Sequence, residues 1–209
     1  MQLIAENLTI ERGGRTIVQS VFFAVPAAQA LILVGRNGAG KTTLLRALAG
    51  LLRPVAGSMK LDGGNDELTV GEQAHFVGHA NAVKANLTVR ENVDFWARYL
   101  GGHDGAETRI ANALSTFALT DLSEFPAAYL SAGQKRRLGL ARLLLAARPV
   151  WLLDEPNVSL DAASTAILSA AVNAHLRAGG IVVAATHLPL GFESAREFNV
   201  AAMSGREAA

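Results

Sequence analysis

Ala30-Leu31-Ile32-Leu33-Val34-Gly35-Arg36-Asn37-Gly38-Ala39-Gly40-Lys41-Thr42-Thr43-Leu44-Leu45-Arg46-Ala47-Leu48-Ala49-Gly50 is the stretch that decides the fold. An apolar run, a glycine-rich stretch and an apolar segment closed by Gly50 read as strand, loop and helix. The loop has the G-x-x-x-x-G-K-[ST] spacing of a P-loop. Consecutive backbone N–H groups can wrap a triphosphate only where no side chain blocks the approach, and Gly35, Gly38 and Gly40 keep it clear. Lys41 is placed to set its ammonium between β- and γ-phosphates, Thr42 to offer a hydroxyl to Mg²⁺, and the opening helix to aim its positive end at the anion. A ligand-free glycine turn is the competing reading. It is disfavoured because the flanking strand and helix agree with the motif as well as the spacing does.

Outward from this stretch, Leu3 to Glu11 and Thr16 to Val25 have strand-like content with a turn at Gly13-Gly14, which predicts an antiparallel pair ahead of the P-loop strand. Downstream, Ser58 to Leu61 reads as a short strand and Ala74 to Gly78 as another, ending at His79. Thr88-Val89-Arg90-Glu91 and Ser131-Ala132-Gly133-Gln134 both have capping-box spacing, in which the hydroxyl and the side chain three residues on each satisfy an orphan N–H. They open helices expected to run to Gly101 and to about Ala147. With a further helix over Glu107 to Ala118, residues of about 88 to 147 form an α-helical insertion between strands. Val150 to Leu153 is a wholly apolar strand, as a strand buried on both faces should be. Asp161 caps a helix through Arg177, and Ile181 to Thr186 is the last strand expected. The fold class is α/β, with an antiparallel β subdomain and an inserted helical subdomain, and residues 1–209 read as a single domain.

Composition bounds the function. The chain has 209 residues, a net charge of +1 and no cysteine, which excludes disulfides, thiolate metal sites and a cysteine nucleophile and gives no sign of a nucleic-acid footprint. Half of its residues are hydrophobic. Yet the longest apolar stretch, Leu138 to Leu153, is broken by Arg142 and Arg148, short of the roughly 20 residues a membrane span needs. The N-terminus has neither a basic nor an apolar leader region, so secretion is not expected.

Asp154-Glu155 stands at the carboxyl end of a buried strand, the edge of an open α/β sheet at which ligands bind. Adjacent acids on an extended strand face opposite ways, so their roles should differ. Asp154 is expected to hold Mg²⁺, directly or through water, and Glu155 to polarise the water that attacks the γ-phosphate. Together, Leu130-Ser131-Ala132-Gly133-Gln134, Val150-Trp151-Leu152-Leu153-Asp154-Glu155-Pro156, Ser159-Leu160-Asp161 and Ala185-Thr186-His187 resemble the nucleotide-binding domain of ABC transporters.

That resemblance implies a P-loop NTPase core and ATP hydrolysis in a head-to-tail homodimer, with ATP and Mg²⁺ as ligands. Gly35, Arg36, Asn37, Gly38, Ala39, Gly40, Lys41, Thr42 and Thr43 would bind nucleotide, and Thr42 and Asp154 the metal. Glu155 and His187 would be catalytic, His187 as the switch histidine, although a lone histidine after a strand is more often a turn or packing residue. Ser131, Gly133 and Gln134 would close over the nucleotide of the opposite subunit. Ala132 replaces the family's commoner glycine at the first helical position, where φ is ordinary, and Gly133 keeps the backbone accessible. Asp161 resembles an interface-crossing aspartate and is equally an N-cap.

Two positions depart from the family pattern. His79 stands where a glutamine is usual; imidazole is a poor ligand for hard Mg²⁺, so a contact to the γ-phosphate or to a metal-bound water is expected instead. Arg12 stands where an aromatic residue commonly stacks on adenine. It is either a guanidinium platform for the base or a solvated turn arginine.

Gly78-His79, Leu87 to Asn92, Phe95-Trp96-Ala97, Leu130 to Arg137 and Trp151 to Pro156 are similar to the ATP-binding subunits of the haem-exporter system in bacterial cytochrome c maturation. This implies integral-membrane transporter subunits as partners, a peripheral position on the cytoplasmic face of the inner membrane, and ATP-driven release of haem-loaded carrier protein. Neither nucleic acid nor direct haem binding is expected. Phe95, Trp96 and Tyr99 could line the docking groove, although core packing is the use expected of at least two of them. Another exporter's ATPase, a soluble ABC ATPase acting on nucleic acid and a small P-loop kinase are the rival readings.

Overall fold

The computed structural model describes residues 1–187 and 190–200, which form two units. The first comprises Met1–Phe76, Arg148–Pro156 and the chain from Val172 onward. It holds a three-stranded antiparallel sheet, β1 (Gln2–Arg12), β2 (Arg15–Pro26) and β4 (Ala56–Asp62), in the order β2-β1-β4. The two-residue connection Gly13-Gly14 has φ of 58° and 73°, the backbone that a twisted hairpin asks of its turn. Leu3 and Ala5 point into the core, and an irregularity at Asn7, with φ of 51°, shifts the alternation by one residue so that Leu8 and Ile10 do so too.

The second sheet of this unit has five strands in the order β5-β6-β7-β3-β8, with β3 (Ala30–Val34), β5 (Ala74–Val77), β6 (Val150–Asp154), β7 (Ile181–Ala185) and β8 (Ala195–Asn199). β3 runs parallel to β7 and β8, and β6 to β7. Every residue of β6 and β7 is buried, which is why β7, and β6 up to its terminal Asp154, read as unbroken apolar runs. Leu33 and Asp154 both pair with Ala185, so β3, β6 and β7 end at one level. Helix α1 (Lys41–Leu48) packs on β6 and β7 through Leu44, Leu45 and Leu48, all fully buried.

β8 is an added finding. Its residues Ala195-Arg196-Glu197-Phe198-Asn199 are mostly exposed at the sheet edge, so neither an apolar run nor a clean alternation marks them.

The second unit, Val77–Ala147 with Asn157–Ala171, is built on α2 (Val89–Gly101), α3 (Ala106–Thr116) and α4 (Ala132–Ala141). Both capping boxes form. Thr88 Oγ1 accepts from Glu91 N at 3.1 Å while Glu91 Oε2 accepts from Thr88 N at 2.7 Å. Ser131 Oγ accepts from Gln134 N at 3.2 Å and Gln134 Oε1 from Ser131 N at 2.8 Å. The helix expected to reach about Ala147 instead ends at Ala141 and tightens into a 3₁₀ turn over Arg142–Leu144, a common close to a helix. Phe95 and Tyr99 stand 40% and 73% exposed, so the core-packing use fails for these two, while Trp96 is half-buried with the Arg142 guanidinium 5.6 Å from its ring centroid. Burial, with the nearby Arg136 charge, lowers the Arg142 pKa to about 10.

In the first unit, His175 near the end of α5 (Ala162–Arg177) stacks on Trp151 of β6, with ring centroids 4.1 Å apart and planes 7° from parallel. Its Nε2 is buried without a hydrogen-bond partner, and burial holds its pKa below the usual imidazole value against the opposing pull of the Ile181 and Pro149 backbone groups. Below about pH 6.5 the unfolded chain therefore takes up a proton that the folded chain resists, and stability falls as pH drops through that value. Urea titrations at pH 7.5 and pH 5.5 should show this loss in the wild type, and His175→Phe should reduce it. A Cβ at Gly180 would lie 2.2 Å from His175 Nε2, so Gly180→Ala should lower stability by about 1–3 kcal/mol in the same titration.

Candidate functional site

The loop after β3 and the ends of β6 and β7 converge in the first unit on a cavity of about 450 Å³. It is lined by Arg12, Ile17, the run from Asn37 to Thr43, Asp154, Glu155 and His187. Gly40 caps α1 with φ of 96°, and no side chain caps the first turn, whose N–H groups are thereby left for an anion. A Cβ at Gly40 would sit 2.9 Å from Val18 Cγ2 and 3.2 Å from Ile17 O, so both conformation and space demand glycine here.

Lys41 is buried, and its ammonium donates to the carbonyls of Gly35 at 2.7 Å and Arg36 at 3.3 Å. The same ammonium lies 3.3 Å from His187 Nε2, and that nitrogen is 3.5 Å from Glu155 Oε1. In a neutral imidazole Nε2 either accepts from Lys41 or donates to Glu155, never both. Thr42 Oγ1 donates to Asp154 Oδ1 at 3.0 Å, putting two hard oxygen atoms side by side. Among the described residues no cluster of three His, Cys, Asp or Glu side chains could hold a metal ion. A hydroxyl and one carboxylate suit Mg²⁺, which keeps waters and takes phosphate oxygens rather than an all-protein cage.

The expectation that the two acids face opposite ways is corrected. β6 ends at Asp154, and Glu155 leaves the strand with φ of 46° while its N–H donates to Ala185 O at 2.8 Å. The left-handed residue breaks the strand's alternation, and both carboxylates line the same cavity. Ile17 is a lining residue that sequence reasoning missed, because it looks like any other residue of a half-buried strand.

His79, Ser131, Gly133 and Gln134 lie in the helical unit. His79 is exposed on a loop held from α4 by the buried Arg136, whose Nη1 donates to Gly78 O at 2.9 Å and Asn81 Oδ1 at 3.1 Å. Ser131 and Ala132 are exposed at the head of α4. Gly133 has a packing reason of its own: a Cβ there would lie 2.9 Å from Ser159 O. Asp161 Oδ1 accepts from Ser164 N at 2.7 Å, a bond that lowers its pKa and makes it the N-cap of α5.

With this geometry in view, comparisons place the chain. The ABC transporter family pattern matches residues 18–158. Two solved structures share the fold at TM-score 0.83. One is an ABC transporter ATP-binding protein of Pyrococcus furiosus, 22% identical, over 97% of this chain and 99% of that one; the other is an ATP-binding subunit of an ABC transporter, 23% identical, over 96% and 87%. Cytochrome c biogenesis ATP-binding export proteins CcmA are similar at higher identity. That of Nitrobacter winogradskyi is 49% identical over 96% of this chain and 98% of its own length. That of Agrobacterium fabrum is 46% identical over 99% of both. The chain belongs to the ABC transporter ATP-binding family and, within it, to the cytochrome c biogenesis ATP-binding export proteins, the CcmA family. It is an ATPase of the ABC type.

Removing the acid oxygen next to His187 should separate binding from chemistry. Glu155→Gln is expected to leave ATP affinity within about threefold while lowering turnover by about 10² or more, read by equilibrium binding of a fluorescent ATP analogue and by phosphate release.

Proposed function

We propose that the chain is the ATP-hydrolysing subunit of an export complex in cytochrome c biogenesis, working as a homodimer beneath integral-membrane subunits on the cytoplasmic face of the inner membrane. The observation that carries the chemistry is the meeting of Lys41, Thr42, Asp154, Glu155 and His187 in one cavity at the carboxyl edge of the parallel sheet. The biological setting rests on the printed function of relatives 46–49% identical over nearly the whole chain. ATP-driven release of a haem-loaded carrier is the work this setting implies, with the haem itself outside this chain. Residues 1–209 would act as one ATP-binding domain, with the helical part of about 88 to 147 as its partner-facing subdomain. The exposed Phe95 and Tyr99, stacked with centroids 6.1 Å apart, support that docking role.

In this reading the loop N–H groups from Gly38 to Thr42 bind the β- and γ-phosphates and Lys41 turns from its own carbonyls to them. Thr42 and Asp154 would hold Mg²⁺, which when bound neutralises developing phosphate charge. Glu155 takes the proton of the attacking water, and His187 positions that water against the γ-phosphate. Ser131, Gly133 and Gln134 would close the site of the opposite subunit, which their place at an exposed helix start supports.

A mixing experiment tests the shared site. Lys41→Ala and Ser131→Arg chains should each lose about 10²-fold in turnover alone. Mixed, they should recover activity, because one of the two sites in the heterodimer then has both an intact cradle and an intact lid. Full activity of Ser131→Arg by itself would refute the composite site. Purification from membranes should also bring down subunits with several spans; recovery of the chain with nucleic acid alone would refute the export reading.

A further inference from the structure

A glycine stands in the interior of α4, where alanine would favour the helix more. Gly139 is buried, and a Cβ there would lie 2.9 Å from Asn81 O, 3.1 Å from Asn81 Cβ and 3.2 Å from Asn81 Cα. None of these atoms moves with a change of rotamer, so a side chain at this point would push the backbone of residue 81 away. The bare face of α4 is a seat for the loop of residues 78–82, which belongs to the same unit.

Two helices fasten the seated loop. From α4, the buried Arg136 donates through Nη1 to Gly78 O and Asn81 Oδ1. From α2, Trp96 Nε1 donates to Ala82 O at 3.3 Å. Just beyond, the buried Asn92 accepts from Lys84 N at 2.8 Å and donates to Lys84 O at 3.0 Å. Ala82 is held at φ of 54°, a conformation that a residue with a Cβ adopts at a cost. Yet the loop itself is made of small residues. Gly78, Ala80 and Ala82 carry no polar side chain, and that of Asn81 turns to Arg136. His79 alone presents an exposed polar side chain, so what the fastening fixes is the place of one imidazole.

We propose that Gly139 is a positioning residue for ATP hydrolysis. It sets the height of loop 78–82 on α4 and thereby the place of His79, while Arg136 holds the loop down. It acts through His79 and touches no nucleotide. The inference rests on His79 meeting the γ-phosphate or a metal-bound water in the nucleotide site proposed above. A group that must stand at hydrogen-bond distance from a reacting atom tolerates little misplacement, and about 1 Å can cost as much as about 10²-fold in rate.

The test compares wild type, Gly139→Ala, His79→Ala and the double variant as full-length chains with Mg²⁺, by ATP turnover, binding of a fluorescent ATP analogue and urea unfolding. Gly139→Ala should unfold cooperatively and bind the analogue within about twofold of wild type, while kcat falls about tenfold. His79→Ala should lose at least as much, and adding Gly139→Ala to it should cost less than about twofold more, because the group being misplaced is already gone. Asn81→Ala removes an acceptor from Arg136 without adding an atom between loop and helix. It should lose kcat in the same way and be masked by His79→Ala in the same way, which keeps the proposal testable should Gly139→Ala fail to fold. Equal losses with and without His79 would make these packing residues and overturn the inference, as would full turnover in a folded Gly139→Ala chain. If His79→Ala kept full turnover, the role read for His79 would fall and this inference with it.

Discussion

A single hydrogen bond, from the Thr42 hydroxyl to Asp154 Oδ1, joins segments 112 residues apart and ties the phosphate loop to the strand-end acids. Everything around it serves to hold a helix start and a strand end in register. β7 lies between β3 and β6, and pairing of both Leu33 and Asp154 with Ala185 brings the phosphate loop and the acids to one level. α1 is pinned to that sheet by fully buried leucines, so the N–H groups of its first turn cannot drift from the carboxylates. The rigidity is that of a close-packed interior, in which small displacements are resisted.

Two local departures from ordinary backbone tune the same spot. Gly40 carries a φ that places the helix start under Ile17 and Val18, and Glu155 accepts the left-handed region so that a second carboxylate reaches the cavity. A non-glycine residue in that region costs about 1 kcal/mol or more, and here the bond from its N–H to Ala185 O helps hold it. Lys41, His187 and Glu155 then form a chain of close polar contacts in which the histidine's Nε2 has two neighbours and one proton to arrange.

Much of this was legible in the sequence because it is local. A phosphate loop is written in closely spaced glycines, lysine and threonine, and both capping boxes in residues three apart; strands buried on two faces are apolar along their length, as β7 and β6 up to Asp154 are. What escaped depends on contacts distant in sequence. β8 is an edge strand with charged residues, so nothing in Ala195 to Asn199 announces pairing with β3. Ile17 enters the cavity only because the hairpin folds over Gly40. The turn of Glu155 is set by a bond to a strand 30 residues on, and strand geometry alone gave the wrong side. Gly133 is required by Ser159, which no spacing rule reveals.

Thr42 and Asp154 should act as one metal-binding pair, and a double-mutant cycle on Mg²⁺ affinity in the ATP-bound chain measures that directly. With Thr42→Val, Asp154→Asn and the double substitution, the single losses should overlap, with a coupling of about 1 kcal/mol or more. Strictly additive losses would mean that the two oxygens do not share an ion, and the assignment of this cavity would be wrong.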